Sequence, residues 1–459
     1  MERYEKYKDS GIAWLGEIPE HWKIKKLKYL IKSLESGVSV NSIDIPVSKG
    51  SYGILKTSCV YKYVFEPQEN KEILSLELDR AKVNPKKGAI IISRMNTPEL
   101  VGASGYVEKD YDYLFLPDRL WQTVFFENLD IHTKWLSFVL KSSSFRELLS
   151  ILATGTSSSM KNLGQEEFLN IKISFSPPEE QRAIAAYLDR KTAEIDQLIA
   201  QKERLIELYE EEKTAIINEA VTKGINPDVK LKPTAINWLG DIPEHWDIQK
   251  IRNVTTYFKG LGFKSSEFNE SGIPIVKASD IKNGSIQSGS SYIAIDNQQE
   301  EFEKVRLASG DIVVSTVGSK PDVVNSAVGQ VGIISHNFNR AYLNQNIVCI
   351  RPLSFCKKEY LNYCFKSKYI RCKFDAMALW IANQAYLQID SIREISIPFP
   401  PLEEQKAISE YIEKETAHID AKIAKTKRII ELQKEYRTAL ISEAVTGKIK
   451  VPQLDQTTN

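Results

Sequence analysis

Residues 14–22 read WLGEIPEHW, and residues 238–246 read WLGDIPEHW. Eight of nine letters agree at an offset of 224 positions. Segments further out keep the same relation. PPEEQRAIAAYLDRKTAEID (177–196) is answered by PPLEEQKAISEYIEKETAHID (400–420), and AIINEAVTKGI (215–225) by ALISEAVTGKI (439–449). Gln181 and Gln405, Tyr187 and Tyr411, and Glu219 and Glu443 each stand 224 apart. Self-similarity at a fixed offset is a statement about architecture. The chain is a tandem duplication of a short motif, a variable block of about 150 residues and a long repeated segment.

The long segment reads as helix. Neither proline nor glycine occurs from Glu179 to Thr222 or from Glu403 to Thr446. Prolines precede each run, and paired glutamates occupy each first turn, where the helix dipole favours negative charge. Apolar residues form a stripe: Leu188, Ile195, Leu198, Leu205 and Ile216 in the first run, Ile412, Ile419, Ile423 and Ile430 in the second. At 1.5 Å per residue each helix is roughly 65 Å long. The two stripes pair with each other as an antiparallel coiled coil, or each packs on its own globular block. Mutual pairing is the expectation, because the runs share length, sequence and position, and it places a globular block at each end of a rigid spacer.

The variable blocks share a plan. YGILKTSCV (52–60) stands beside IPIVKASDI (273–281), and GAIIIS (88–93) beside GDIVVS (310–315), a glycine before a β-branched strand. Glycine-punctuated strands follow, LVGASGYV (100–107) and AVGQVGII (327–334). A helix comes next, WLSFVLKSSSFR (135–146) beside YLNYCFKSKYIR (360–371), and each block ends on an apolar strand running into Pro-Pro. The expected fold is α+β: two mixed α/β domains separated by two long antiparallel helices, as a pseudo-twofold tandem repeat. Its divisions are 1–176 (motif and first domain), 177–224 (first spacer helix), 225–398 (second domain), 399–450 (second spacer helix) and 451–459 (tail). The loops between matching strands differ almost completely, RMNTPEL against TVGSKPDVVN. One plan with two unlike sets of loops implies one kind of job done on two targets.

Bulk properties narrow the class. The 459 residues suffice for two to four domains, with 42% hydrophobic and 26% charged residues. No apolar run approaches the roughly 18 residues that span a bilayer, and MERYEKYKDS lacks a signal-peptide core. Five irregularly spaced cysteines fit a reducing cytosol, and the eight-residue spacing of Cys356, Cys364 and Cys372 is not a zinc pattern. Net charge is only +1, but it is unevenly spread. Residues 23–176 hold 21 basic against 17 acidic side chains and residues 247–398 hold 18 against 14, so each is +4, whereas 177–222 hold 6 against 11. Basic blocks alternating with an acidic one are compatible with nucleic acid.

Catalytic signatures are missing from the sequence. There is no phosphate loop of the G-x-x-x-x-G-K-[ST] kind and no G-x-G-x-x-G after a strand. PFPP (398–401) lacks the leading Asn or Asp of an adenine-methyltransferase signature and opens a helix. His21 and His245 lie in the repeated motif and read as packing or helix-end residues. Loop chemistry points to recognition instead: Lys56, Thr57, Arg94, Asn96 and Thr97 in the first block, Lys277, Ser279, Ser315, Thr316, Ser319 and Lys320 in the second. Arg and Asn read guanine and adenine edges through paired hydrogen bonds, and Lys and Ser/Thr meet phosphates. KIKKLK (23–28) adds a basic run. The bland alternative is that these are ordinary solvated loop residues.

WLGEIPEHW and WLGDIPEHW ahead of the variable blocks, with PPEEQRAI and PPLEEQKAI opening the long helices, resemble the specificity subunit of a type I restriction–modification system. The resemblance covers the whole chain in order. It implies two target-recognition domains, each reading one half of an asymmetric bipartite site in double-stranded DNA, and paired helices that fix the gap. It implies a non-catalytic, cytoplasmic chain without a cofactor of its own. Two modification subunits that carry S-adenosylmethionine and methylate adenine N6 would dock on the repeats, and restriction subunits using ATP and Mg would join them. Trp14, Trp238, Tyr187 and Tyr411 are either partner contacts or staples of the motif to its own domain. Gln181, Gln405, Ile195 and Ile419 are assigned to the partner surface or spacer. Other readings are the specificity chain of a related fused nuclease–methylase system and a protein-only coiled-coil scaffold.

Overall fold

The computed structural model describes residues 2–157, 160–236, 239–282, 284–287, 291–294, 299–319, 328–381 and 384–452. The chain divides into two compact units, 1–202 with 428–459, and 203–427. The division falls inside both long helices, which run Pro178–Lys223 and Leu402–Val445.

In the first unit the motif forms a hairpin, Tyr7–Asp9 against Glu17–Pro19. Lys23–Lys26 then pairs with Lys172–Phe175, closing the block at its base. An antiparallel sheet orders Ser104–Tyr106, Ile90–Ser93, Leu120–Phe125 and Ile31–Ser36. A smaller sheet contains Gly53–Leu55, with Leu114–Phe115 parallel to it and Asn70–Ile73 antiparallel. Leu55 and Leu114 of the small sheet share a core with Ile91 and Leu120 of the large one. A hairpin, Thr154–Ser157 and Met160–Asn162, pairs with Met95–Asn96.

The second unit repeats the plan. Its hairpin is Leu231–Pro233 against Asp241–Pro243, and its base is Asp247–Lys250 against Ser396–Phe399. The main sheet carries Val331–Ile333, Ile312–Ser315, Ile347–Pro352 and Thr255–Lys259 in the matching order, extended by Ser285–Ile286 and Ile281–Lys282. Tyr342–Leu343 lies parallel to Ile273–Val276 in the smaller sheet. Alternation along Ile312–Ser315 sorts its side chains to two faces, as a period of two requires. Val313 meets Ile275 and Tyr342 of the small sheet. Ile312 and Val314 meet Tyr360, Phe365 and Phe374 of the helical layer, together with Ile217, Val221, Ile408 and Ile412 of the long helices.

The long helices are antiparallel in each unit. In the second, Lys213 Nζ reaches Asp420 Oδ1 at 2.6 Å and Lys422 lies over the Tyr209 ring. In the first, Arg437 bonds Asp196 at 2.9 Å. Ile195, Ile419, Ile423 and Ile430 are buried, while Leu198, Leu205 and Ile216 are only partly so. The two packing alternatives both occur. Ion pairs bridge helix to helix, and the stripe's outer ends enter the domain core.

One element differs from expectation. WLSFVLKSSSFR and YLNYCFKSKYIR are each two helices, Thr133–Lys141 then Ser143–Leu152, and Lys358–Lys366 then Lys368–Met377. Ser142 and Ser367 adopt extended backbone at the break. Ser367 Oγ donates to Cys364 O and accepts from Ile370 N, ending one helix and capping the next.

Candidate nucleic-acid interface

The repeated motif is a clamp on the start of each long helix. His21 Nε2 lies 2.6 Å from Glu180 Oε1, and His245 Nε2 lies 2.8 Å from Glu404 Oε2. Trp22 Nε1 and Tyr4 OH also donate to Glu180. Gln181 is wholly buried, accepts from His132 N and donates to Ser176 O. Gln405 does the same with Lys357 N and Pro400 O. These glutamines tie the long helix to the N-cap of the first domain helix. Trp14 packs edge-on against Phe145 at 5.6 Å, stapling the motif to its own domain, and stays half-buried. Tyr187 is half-buried and Tyr411 exposed, while Trp238 lies outside the described residues. The Glu180 and Glu404 anchors escaped sequence reading, although the paired recurrence of EHW and PEE or LEE at one offset carried the signal.

The candidate DNA-facing residues divide by burial. Arg94 directly follows the strand Ile90–Ser93, and Thr316 directly follows Ile312–Ser315. Arg94 N donates to Arg119 O, and Leu163 N donates to Arg94 O. Thr316 N donates to Asn346 O, and Leu387 N donates to Thr316 O. Gly102 N reaches Ser93 O as Gly329 N reaches Ser315 O. One backbone frame therefore presents an arginine in one unit and a threonine in the other. Both glycines have positive φ, and a Cβ on Gly329 would lie 2.8 Å from Phe374, so this approach excludes larger residues.

Around Arg94, a polar chain runs from Thr57 Oγ1 to Tyr61 OH (2.9 Å), to Asn96 Nδ2 (2.9 Å) and on to Ser93 Oγ (3.2 Å). Asn96 is buried, and its Oδ1 accepts from Thr97 N, so its amide is spent on shaping the loop. Arg94 is partly exposed, with a buried Nε that has no hydrogen-bond partner. Lys56 pairs with Asp44 at 3.1 Å. In the second unit Ser315 is buried and accepts from Gln330 N. Lys277 Nζ bonds Ser291 Oγ and lies over Phe268, and Ser279 is exposed. Ser319 accepts from Val328 N through its carbonyl, and Lys320 lies outside the described residues. Thr316 lines a cleft of about 420 Å³ with Tyr257, Lys259, Asn346 and Gln388. Hydroxyl, amide and ammonium groups around one opening can donate to phosphate or base edges.

Among the described residues no helix is long and apolar enough to cross a membrane, and no group of three His, Cys, Asp or Glu side chains could hold a metal. Cys59, Cys349, Cys356 and Cys364 are buried and Cys372 is exposed. Burial pushes the Cys356 thiol up to about 12.

A doubled frame with unlike loops defines a recognition protein with two reading heads. The type I restriction modification DNA specificity domain matches the chain twice, over residues 19–208 and 243–433. The chain belongs to that family and is a type I specificity subunit with two recognition domains. It is 25% identical over 443 residues to the MjaVIII specificity subunit of Methanocaldococcus jannaschii, covering 95% of each chain. It is 27% identical over 214 residues to the EcoKI specificity subunit of Escherichia coli K12, covering 46% of this chain and 44% of that one. The HsdS subunit from Thermoanaerobacter tengcongensis superposes with a TM-score of 0.53 at 18% identity, over 94% of this chain and 98% of that one. A chain from a type I R-M system studied for complex assembly and conformational transition gives 0.69 at 16% identity, over 93% and 98%. These two likenesses concern the fold.

Proposed function

We propose that each unit reads one half of an asymmetric bipartite site in double-stranded DNA, and that the paired helices set the gap between the halves. The observation that carries this is the matched frame at Arg94 and Thr316, where identical backbone bonds present unlike side chains. An arginine at such a position pairs with a guanine edge, whereas a threonine meets a thymine methyl or a phosphate. The recurrence of the whole motif, WLGEIPEHW ahead of one long helix and WLGDIPEHW ahead of the other, supports two like docking places for two modification subunits. S-adenosylmethionine and ATP with Mg belong to the partner subunits on this reading, with restriction subunits completing the complex. This chain positions and does not catalyse, and it works in the cytoplasm.

Arg94→Ala tests the assignment. It should weaken binding of the assembled methyltransferase to its cognate duplex by roughly fivefold to a hundredfold, as loss of one bidentate base contact does. Co-purification with the modification subunit should be unchanged. Unaltered DNA affinity would remove Arg94 from the interface.

A further inference from the structure

The frame that aligns Arg94 with Thr316 aligns two further positions. The ladders end with Ser93 opposite Leu120 in the first unit and Ser315 opposite Ile347 in the second. One step further, Arg94 stands opposite Arg119 and Thr316 opposite Asn346, and each first residue donates its N–H to the C=O of the second. Leu163 and Leu387, whose N–H groups close the frame, are followed by Gly164 and Gln388. Each of these is the N-cap of a matching short helix, Gln165–Leu169 or Ile389–Arg393. The first unit therefore presents Arg94, Arg119 and Gly164 where the second presents Thr316, Asn346 and Gln388.

These side chains are not used up inside the protein. Arg119, Asn346 and Gln388 are exposed. Among the described residues no hydrogen bond or ion pair engages their side chains or the Arg94 guanidinium. Like charges directly opposite across a ladder are unfavourable, so two arginines there without a carboxylate call for an acceptor from outside. In the second unit Thr316, Asn346 and Gln388 line one cleft of about 420 Å³. The carboxylate of that cleft, Asp390, turns to Arg393 at 3.6 Å. One scaffold thus offers two guanidiniums beside a glycine in one unit, and two carboxamides beside a hydroxyl in the other.

We infer that Arg119 is a second guanine-reading residue of the first unit, and that Asn346 and Gln388 are adenine-reading residues of the second. The half-site of the first unit then has G·C pairs at the contacted positions, and that of the second has A·T pairs. This rests on the proposed reading of DNA by the two units. A guanidinium donates in parallel to guanine O6 and N7, whereas a carboxamide accepts from adenine N6 and donates to N7, both in the major groove.

The test uses the chain assembled with its modification subunits, the cognate duplex fixed by methylation mapping, and duplexes with each base pair changed singly. Arg119→Ala should cut discrimination at a G·C pair of one half by about tenfold, as loss of a bidentate contact does, and leave the other half unchanged. Arg119→Lys keeps the charge without the paired donors, so it should lose the same discrimination with less loss of affinity. Asn346→Gly removes the amide and tolerates the left-handed backbone at φ 67°. That variant and, separately, Gln388→Ala should cut discrimination at A·T pairs of the opposite half. An Arg119→Ala complex that binds every duplex equally more weakly, with a shallower salt dependence, would mean a phosphate contact and overturn the assignment. Wild-type discrimination in all the variants, or relaxation of one and the same half by Arg119→Ala and the amide variants, would overturn it too. A wild-type complex that fails to distinguish the duplexes would instead overturn the reading role on which the assignment depends.

Discussion

Single buried groups show how the repeat is held. Gln405 satisfies a backbone N–H and a backbone C=O from within a closed contact, so Gln405→Leu would strand both. The expected cost is about 1–3 kcal/mol, read as a lower urea midpoint, with Gln405→Glu recovering the acceptor but not the donor. Lys141 gives a pH signature. Burial, and next the Arg437 guanidinium, push its ammonium down to about 8 from 10.5. The folded chain therefore binds fewer protons than the unfolded chain between those values, so this residue makes stability rise with pH from about 8 to about 10.5. Lys141→Met should raise the urea midpoint at pH 7, and the gain should shrink by pH 10. A gain that stays constant with pH would mean the lysine carries no burial penalty.

At the scale of elements, Ser367 both ends and caps a helix, so Ser367→Ala should cost about 1 kcal/mol by thermal denaturation. Ile419 is 2% exposed on the paired-helix stripe, and Ile419→Ala should cost about 2–4 kcal/mol. That loss should reduce assembly with partners before it affects base preference. Much of this was legible in the sequence. Residues 179–222 and 403–446 had no breaker for the helix to avoid, and GAIIIS and GDIVVS had β-branched runs behind glycines. The break at Ser142 and Ser367 was not legible, because serine is tolerated inside helices and only its local bonds made it a cap. The loop candidates were legible as a region but not as contacts. Asn96 and Ser315 each adjoin a partly buried residue, Thr97 and Thr316, yet packing turns both inward, and sequence spacing holds no signal of that choice.

The molecule as a whole is one frame written twice. Lys450 N donates to Glu2 O and Tyr7 OH reaches Lys448 O, so the turn after the second long helix meets the first motif, as residues 223–231 lead covalently into the second. On the proposed function, the repeated surfaces serve shared partners and the unlike loops serve two DNA sequences. The measurement that tests this most directly is base-resolved mapping of N6-methyladenine in plasmid DNA from cells making this chain with its modification subunit. The account predicts methylation confined to one asymmetric two-part motif with a fixed gap. It further predicts that substitutions at Arg94 relax one half and substitutions at Thr316 relax the other. A stable complex of the two proteins that leaves plasmid DNA unmethylated, or methylates it without a two-part motif, would contradict it.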